Sequence, residues 1–548
     1  MATGAELFVE SIQRLGIGEI FTLVGDHLNE VLLCAARHGL RIFDMRHESG
    51  VTHAADVWAR LARKPALGLV TGGPGHTNAI TGIATAFLAG SPLIAVSGAT
   101  PAALAGRQAF QEMDQTGTVR PVVKWAAEPP GAAQIPFFLG RACTEAISGR
   151  MGPVHLTIPV DLFRAEAGPV KMPEMPRRHT PLPDGRDIDR TLALLRAAER
   201  PVVIAGGGVW WSGAGTELRE FAERTSLPIY SITLARGVLP DDHPLSLGYA
   251  DPALNRAAAM AFREADLFLV LGKRIDYRLA LGGPRLFPPE AKFIQVDVEP
   301  RELGLNRRLD VAVCADLRAT LRALLEAMGD SPWPEHPWLE RVRALREEWR
   351  LHLAGQATDR SSPIHPAALF TELRRALPPR VLYSWDGGDF VHWGRAILPA
   401  LRPGGWVRLG PLGTIGAALP NAIALQAANP DQPVAMITGD GALGFYIAEL
   451  DTAVRLRLPI VVIVGNDAGW GLERELQGRQ STVACELRPT RYDIVMEGFG
   501  GAGENIESLE QVAPAVRRAF DAGRPYLLNV NIRGARSPFT EWKLAGGG

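Results

Sequence analysis

The chain has 548 residues, 47% apolar and 21% charged, with a formal net charge of −1 at pH 7. That profile fits a globular protein of about three domains and gives no basic surface for nucleic acid or an anionic membrane. No apolar run approaches ~20 residues, which excludes a membrane-spanning helix, and Cys34, Cys143, Cys314 and Cys485 are too scattered for structural zinc or a disulfide framework. With no charged lead-in or long apolar core over residues 1–8, the expectation is a cytoplasmic protein.

Taken in chain order, the hydrophobic spacing predicts a helix over 5–15 and strands over 19–23, 41–45 and 66–70. Arg46-His47-Glu48-Ser49-Gly50 ends a strand and opens a helix over 51–61. Glu48 there is either a favourable charge in a first helical turn or a carboxylate aimed into a cleft. The next histidine after His47 is His53, so no zinc-binding HExxH is present. Residues 168–186, rich in proline and charge, read as a linker. A second α/β segment opens at 201–206, with strands near 267–271 and 293–296. Its Gly206-Gly207-Gly208 lacks the third glycine of a dinucleotide fingerprint and reads as a tight turn. Residues 331–365 form a second connection, and a third α/β segment covers about 366–532. The expected division is 1–167, 187–330 and 360–548, each a doubly wound parallel sheet.

The third segment carries the most chemistry. Apolar strands over 434–437 and 460–464 lead into Thr438-Gly439-Asp440-Gly441-Ala442 and Gly465-Asn466-Asp467-Ala468-Gly469-Trp470, with a helix predicted over 446–456 between them. A right-handed βαβ crossover puts both loops on one sheet edge, so Asp440 and Asp467 converge where parallel sheets bind ligands. An isolated GDG is ordinary turn chemistry. Two strand-anchored acids, a carbonyl and glycine N–H groups together suit a divalent cation carrying a diphosphate.

This spacing resembles the thiamine diphosphate motif, and the resemblance extends over the whole chain. Arg46-His47-Glu48 is similar to the family's RHE segment, Gly72-Gly73-Pro74-Gly75-His76-Thr77-Asn78 to its SGPGxTN loop, and 410–416 (GPLGTIG) to the loop under the bent cofactor. The order matches the acetolactate synthase, benzaldehyde lyase and pyruvate oxidase group. The resemblance implies pyrimidine-binding, central and diphosphate-binding domains, with thiamine diphosphate and Mg²⁺ as cofactors. It puts the metal on Asp440, Asp467 and the Gly469 carbonyl; Asp467 replaces the usual asparagine, a mild change for Mg²⁺. Cofactor contacts are implied for Glu48, Gly73, Asn78, Asp386, Gly387, Gly413, Ile415, Gly441, Ala442 and Trp470. Glu48 would drive the pyrimidine to the imino form that deprotonates the thiazolium. In the family the site is shared between subunits, so a homodimer or homotetramer is expected.

Substrate signals are mixed. In Val24-Gly25-Asp26-His27-Leu28, His27 matches benzaldehyde lyase and Asp26 matches simple 2-oxo acid decarboxylases, whose His-His pair is missing from 91–125. Ala109-Phe110-Gln111-Glu112 resembles acetolactate synthases and 2-hydroxyacyl-CoA lyases. Phe110 and Trp470 read equally well as core packing. His27, Asp26 and Gln111 are the expected proton-handling groups beside Glu48. The expected function is a carboligase or lyase acting on 2-hydroxyketones or 2-oxo acids. The alternatives are a 2-hydroxyacyl-CoA lyase or oxalyl-CoA decarboxylase type, or a silent regulatory subunit. Gly272-Lys273-Arg274-Ile275-Asp276 only partly matches the segment of flavin-containing relatives, which leaves FAD open but not indicated.

Overall fold

The computed structural model describes residues 1–330, 332–478 and 482–546, so the terminal Gly547 and Gly548 of the expected third segment lie outside the described residues. Three six-stranded parallel sheets follow one another along the chain, each flanked by helices. The first runs Arg41–Asp44, Glu19–Thr22, Ala66–Val70, Leu93–Ala99, Val154–Pro159, Ala126–Ala127. The third runs Trp406–Arg408, Leu382–Trp385, Val434–Gly439, Val461–Asn466, Tyr526–Asn531, Ala502–Ile506. Helices cover both faces of such sheets, which is why their inner strands read as continuous apolar runs.

Numbered along the chain, the first and third sheets share the strand order 2-1-3-4-6-5, whereas the central sheet is 3-2-1-4-5-6. The two outer domains thus repeat a topology that no sequence repeat announces. In each sheet the order reverses between two neighbouring strands, and open α/β sheets bind ligands at that switch point. In the first domain it lies between Glu19–Thr22 and Ala66–Val70, in the third between Leu382–Trp385 and Val434–Gly439. Helix Glu48–Ala62 of the first domain packs against helix Ala418–Ala428 of the third. The latter is buried on nearly every side, as expected of a helix apolar all round.

Some local expectations change. The connection over 331–365 carries the 19-residue helix Trp338–Gln356, anchored by buried Trp338, Val342, Leu345 and Leu353 at helical spacing; proline and charge in the segment masked that pattern. Gly206 to Gly208 is not a tight turn but a strand-to-helix junction, opening helix Gly207–Trp211 where the backbones of Gly208 and Gly272 meet closely. The helix expected over 446–456 forms over Glu449–Arg455, preceded by the short helical turns Asp440–Leu443 and Gly444–Tyr446. Among the described residues, no helix is long and apolar enough to cross a membrane.

Candidate active site

Two clusters of the expected residues form, one at the switch point of each outer sheet. In the first domain Glu48 is the first residue of helix Glu48–Ala62, with His47 as N-cap accepting from Ser49 N at 3.1 Å. Asn78 Nδ2 donates to Glu48 Oε2 at 3.0 Å. The backbone before Glu48 is held from the third domain: Arg46 N donates to the buried carboxylate of Glu449 at 3.1 and 3.2 Å. Ser49 Oγ lies 2.7 Å from Tyr446 Oη.

His27 is the buried central residue of the short turn Asp26–Leu28. Gly72 N donates to its Nδ1 at 3.2 Å, and Thr71 Oγ1 lies 2.9 Å from the same atom. A backbone N–H can only donate, so Nδ1 is the acceptor and the neutral ring carries its proton on Nε2. Burial pulls His27 below the usual histidine range, with Asp26 opposing, so the ring is neutral at pH 7. Asp26 is exposed, while Gln111 sits in the left-handed region (φ 61°) beside Gly73. Gly73 is itself at φ 61°, and a Cβ there would lie 2.8 Å from Gln111 Cβ, so this turn requires glycine.

Sequence reasoning missed Gln115. Fully enclosed, it accepts from Gly73 N and donates to Gly98 O, both at 3.0 Å, and so pins the Gly72-Gly73 turn. Four residues beyond Gln111, it was open to discovery only by asking which side chain satisfies that turn.

In the third domain, Gly439 and Gly465 are register partners, so Asp440 and Asp467 leave the same sheet edge. Asp440 is 1% exposed, and its Oδ2 accepts from Gly469 N at 2.9 Å. Burial, then the neighbouring Asp467 carboxylate, push Asp440 up to about 7; burial also raises Asp467. Arg474 Nη1 lies 3.1 Å from Asp467 Oδ2.

Asp440, Asp467 and Gly469 line a cavity of about 730 Å³ together with Gly387, Asp389, Ile415, Gly441, Ala442, Trp470 and residues 532–535. The ring of Trp470 covers Gly441, where a Cβ would lie 2.9 Å from it. Asp386 lies behind the cavity instead of lining it: its carboxylate accepts from Gly387 N at 2.8 Å, Gly416 N at 2.9 Å and Thr438 Oγ1 at 3.1 Å. It ties the 410–416 loop to the Asp440 strand, and burial lifts it to about 6. Gly413, at φ 76°, stands in open space on that loop. Phe110 is 80% exposed, which removes the core-packing reading for that ring, whereas Trp470 is half-buried.

Two mutually repelling, buried carboxylates beside backbone N–H groups form a set that a divalent cation with a bound diphosphate satisfies. Among the described residues no cluster of three acidic, histidine or cysteine side chains forms, so a metal here needs a backbone carbonyl as well. No first-domain residue lines the 730 Å³ cavity. Within one chain, Glu48 and Asp440 fall in two separate clusters.

Comparison with known proteins agrees with this division. Residues 2–118 match the thiamine pyrophosphate enzyme N-terminal TPP binding domain, 188–324 the central domain, and 386–530 the C-terminal TPP binding domain. The chain belongs to the thiamine pyrophosphate enzyme family. It is 34% identical over 535 residues to a probable acetolactate synthase of Mycobacterium bovis, covering 96% of this chain and 94% of that protein. A probable acetolactate synthase large subunit of Methanocaldococcus jannaschii is 31% identical over 547 residues, 96% and 92% of the two chains. Human 2-hydroxyacyl-CoA lyase 1 is 28% identical over 552 residues, 97% and 94%.

Proposed function

We propose that this protein is a thiamine diphosphate- and Mg²⁺-dependent carboligase or lyase that forms or cleaves C–C bonds of 2-hydroxyketones or 2-oxo acids. The observation that carries the reading is the pair of clusters: carboxylates lining a cavity in the third domain, and Glu48 with His27 and Gln111 in the first. A second copy of the chain unites them, as a cytoplasmic homodimer or homotetramer with sites at the interface.

Asp440, Asp467 and the Gly469 carbonyl would hold the cation, and the N–H groups of Gly441 and Ala442 would be available to the diphosphate. Ile415, on the loop that Asp386 braces, would support the cofactor, with Gly387 and Trp470 lining the same cavity and the Gly413 carbonyl on that loop. Glu48, aided by Asn78 and the Gly73 turn, holds a proton at the pyrimidine nitrogen. When bound, the cofactor supplies a carbon nucleophile and an electron sink. His27 presents Nε2–H to a substrate oxygen as a neutral hydrogen-bond donor, stabilising the negative charge that develops there in ligation or cleavage. Gln111 orients the substrate, and Asp26 keeps negative charge at the mouth.

A second reading, a 2-hydroxyacyl-CoA lyase or oxalyl-CoA decarboxylase type, is favoured by one observation. A cavity of about 1170 Å³ at the central switch point is lined by Gly207, Gly208, Arg150, Lys273, Arg274, Arg278 and Arg408. Glycines and cations at a switch point suit a nucleotide, whether of a CoA thioester or of FAD, although Asp276, Asp297, Glu302 and Asp316 share the lining and Lys273, Arg150 and Arg274 are paired with two of them.

Incubating the loaded enzyme with pyruvate, benzaldehyde, glycolaldehyde and formyl-CoA, and reading products by mass spectrometry, separates these. Condensation of free carbonyls supports the first reading, turnover confined to the thioester the second. Cofactor binding without turnover of any substrate indicates a silent subunit.

A further inference from the structure

Asp467 is an anionic residue where the family motif has a neutral amide, and the structure holds a cation against it. Arg474, on helix Gly471–Gln477, places Nη1 3.1 Å from Asp467 Oδ2. Its Nη2 donates to the carbonyl oxygens of Asp467 at 3.2 Å and Ala468 at 2.9 Å. On the outer side, Nε and Nη2 reach Glu486 at 3.0 and 3.1 Å. The guanidinium lies directly over Gly469, where a Cβ would come within 1.9 Å of Nη2 and 2.4 Å of the Cys485 carbonyl oxygen. Both partners are largely withdrawn from water, with side-chain exposures of 19% for Arg474 and 11% for Asp467. A pair so enclosed is weakly screened and acts on nearby charge.

We infer that Arg474 is the positioning residue that makes an aspartate at 467 electrostatically equivalent to the family's neutral ligand. This rests on the metal and diphosphate reading above. Asp440 and Asp467 bring two carboxylates to the proposed metal position, in a cavity that Asp389 and Glu473 also line; the diphosphate is itself anionic. An uncompensated Asp467 strengthens the pull on Mg²⁺ while repelling the diphosphate that Mg²⁺ must carry. Arg474 cancels the excess charge and, through its fork, fixes the carboxylate and the 467–469 backbone. The bidentate side of the fork faces Glu486, Nε on Oε1 and Nη2 on Oε2, while the Asp467 carboxylate receives the single Nη1 contact; a guanidinium has donors enough for both. Glu486 restrains the guanidinium from the far side, so that it neutralises Asp467 without entering the metal position.

The test is calorimetry on the full-length protein: the Mg²⁺ concentration that half-supports thiamine diphosphate binding, and the affinity for thiamine diphosphate at saturating Mg²⁺. Arg474→Gln should lower the Mg²⁺ requirement and weaken the diphosphate affinity, each by about tenfold for one unit charge. Asp467→Asn should move both constants the opposite way. The double variant should return both to within about threefold of wild type, a coupling that independent sites do not show. Arg474→Lys, which keeps the charge, should stay near wild type in diphosphate affinity. If Arg474 is only a structural tie, Arg474→Gln and Asp467→Asn each weaken both constants and the double variant is worse than either; that outcome overturns the inference. So does an unfolded Arg474→Gln that the second substitution does not rescue. Should wild type itself show no Mg²⁺-dependent binding of thiamine diphosphate, the metal reading fails and this inference falls with it.

Discussion

Acid should loosen the helix that carries Glu48, through a histidine outside the chemistry. His53 lies five residues beyond Glu48, fully enclosed, with its ring edge-to-face on Tyr446 at 5.9 Å. Tyr446 in turn bonds Ser49, the residue after Glu48. Its Nε2 has no hydrogen-bond partner among the described residues. Burial first, then the charges of Arg60 and His47, pull His53 down to about 3. An unfolded chain titrates this ring near 6.5, so the unfolded state binds the proton more tightly. Stability present above pH 6.5 is therefore lost as pH falls toward 3. At pH 5 the cost is about 2 kcal/mol for this one ring, from 1.5 pH units at about 1.36 kcal/mol each. For a domain of this size that corresponds to about 4–8 °C in melting temperature. His53→Gln should flatten the fall in melting temperature between pH 7.5 and 5 by that amount, read by scanning calorimetry at one scan rate. The buried carboxylates of Glu449 and Asp386, raised to about 7 and about 6, act in the opposite direction but are common to both proteins and cancel. Parallel curves for wild type and His53→Gln would refute the reasoning.

Glu48→Gln should retain cofactor affinity yet lose about 10²–10⁴-fold in rate, since an amide holds no transferable proton; proton–deuterium exchange at the thiazolium carbon checks it. His27→Ala should depress cleavage or ligation of 2-hydroxyketones by about 10²-fold while sparing decarboxylation of a shared donor. Measuring both activities on one variant decides it, and collapse of decarboxylation alone would move the role to Asp26. Gln115→Leu strands Gly73 N and Gly98 O without their buried partner, and should cost about 1–3 kcal/mol per stranded group, read as a lower melting temperature.

Strand-anchored signals were the legible part. The apolar run before Asp440 continues as a parallel strand to Gly439, and parallel register with Val461–Asn466 carries Asp467 to the same edge. Periodicity fixes that much locally. What stayed hidden depends on chain segments meeting from a distance. Arg474 pairs with Asp467 only because the 485–487 backbone folds back, Trp470 N donating to Cys485 O and Leu487 N to Ala468 O, both at 2.8 Å. Asp386 reads as a cofactor contact by its place in the chain, yet its carboxylate is spent on three donors behind the cavity. Phe110 carries no local mark of exposure. The common topology of the outer sheets is a property of strand order, which the side-chain pattern does not encode.

The central claim is that Asp440 and Asp467 hold a cation that carries the diphosphate of thiamine diphosphate. Calorimetric titration of thiamine diphosphate into wild type and Asp440→Ala, with and without Mg²⁺, tests it most directly. Wild type should bind thiamine diphosphate only with Mg²⁺ and Asp440→Ala not at all, because a carboxylate only 1% exposed, already hydrogen-bonded to the Gly469 loop, is the anchor of the site. Undiminished affinity in Asp440→Ala, or binding in wild type that ignores Mg²⁺, would contradict it.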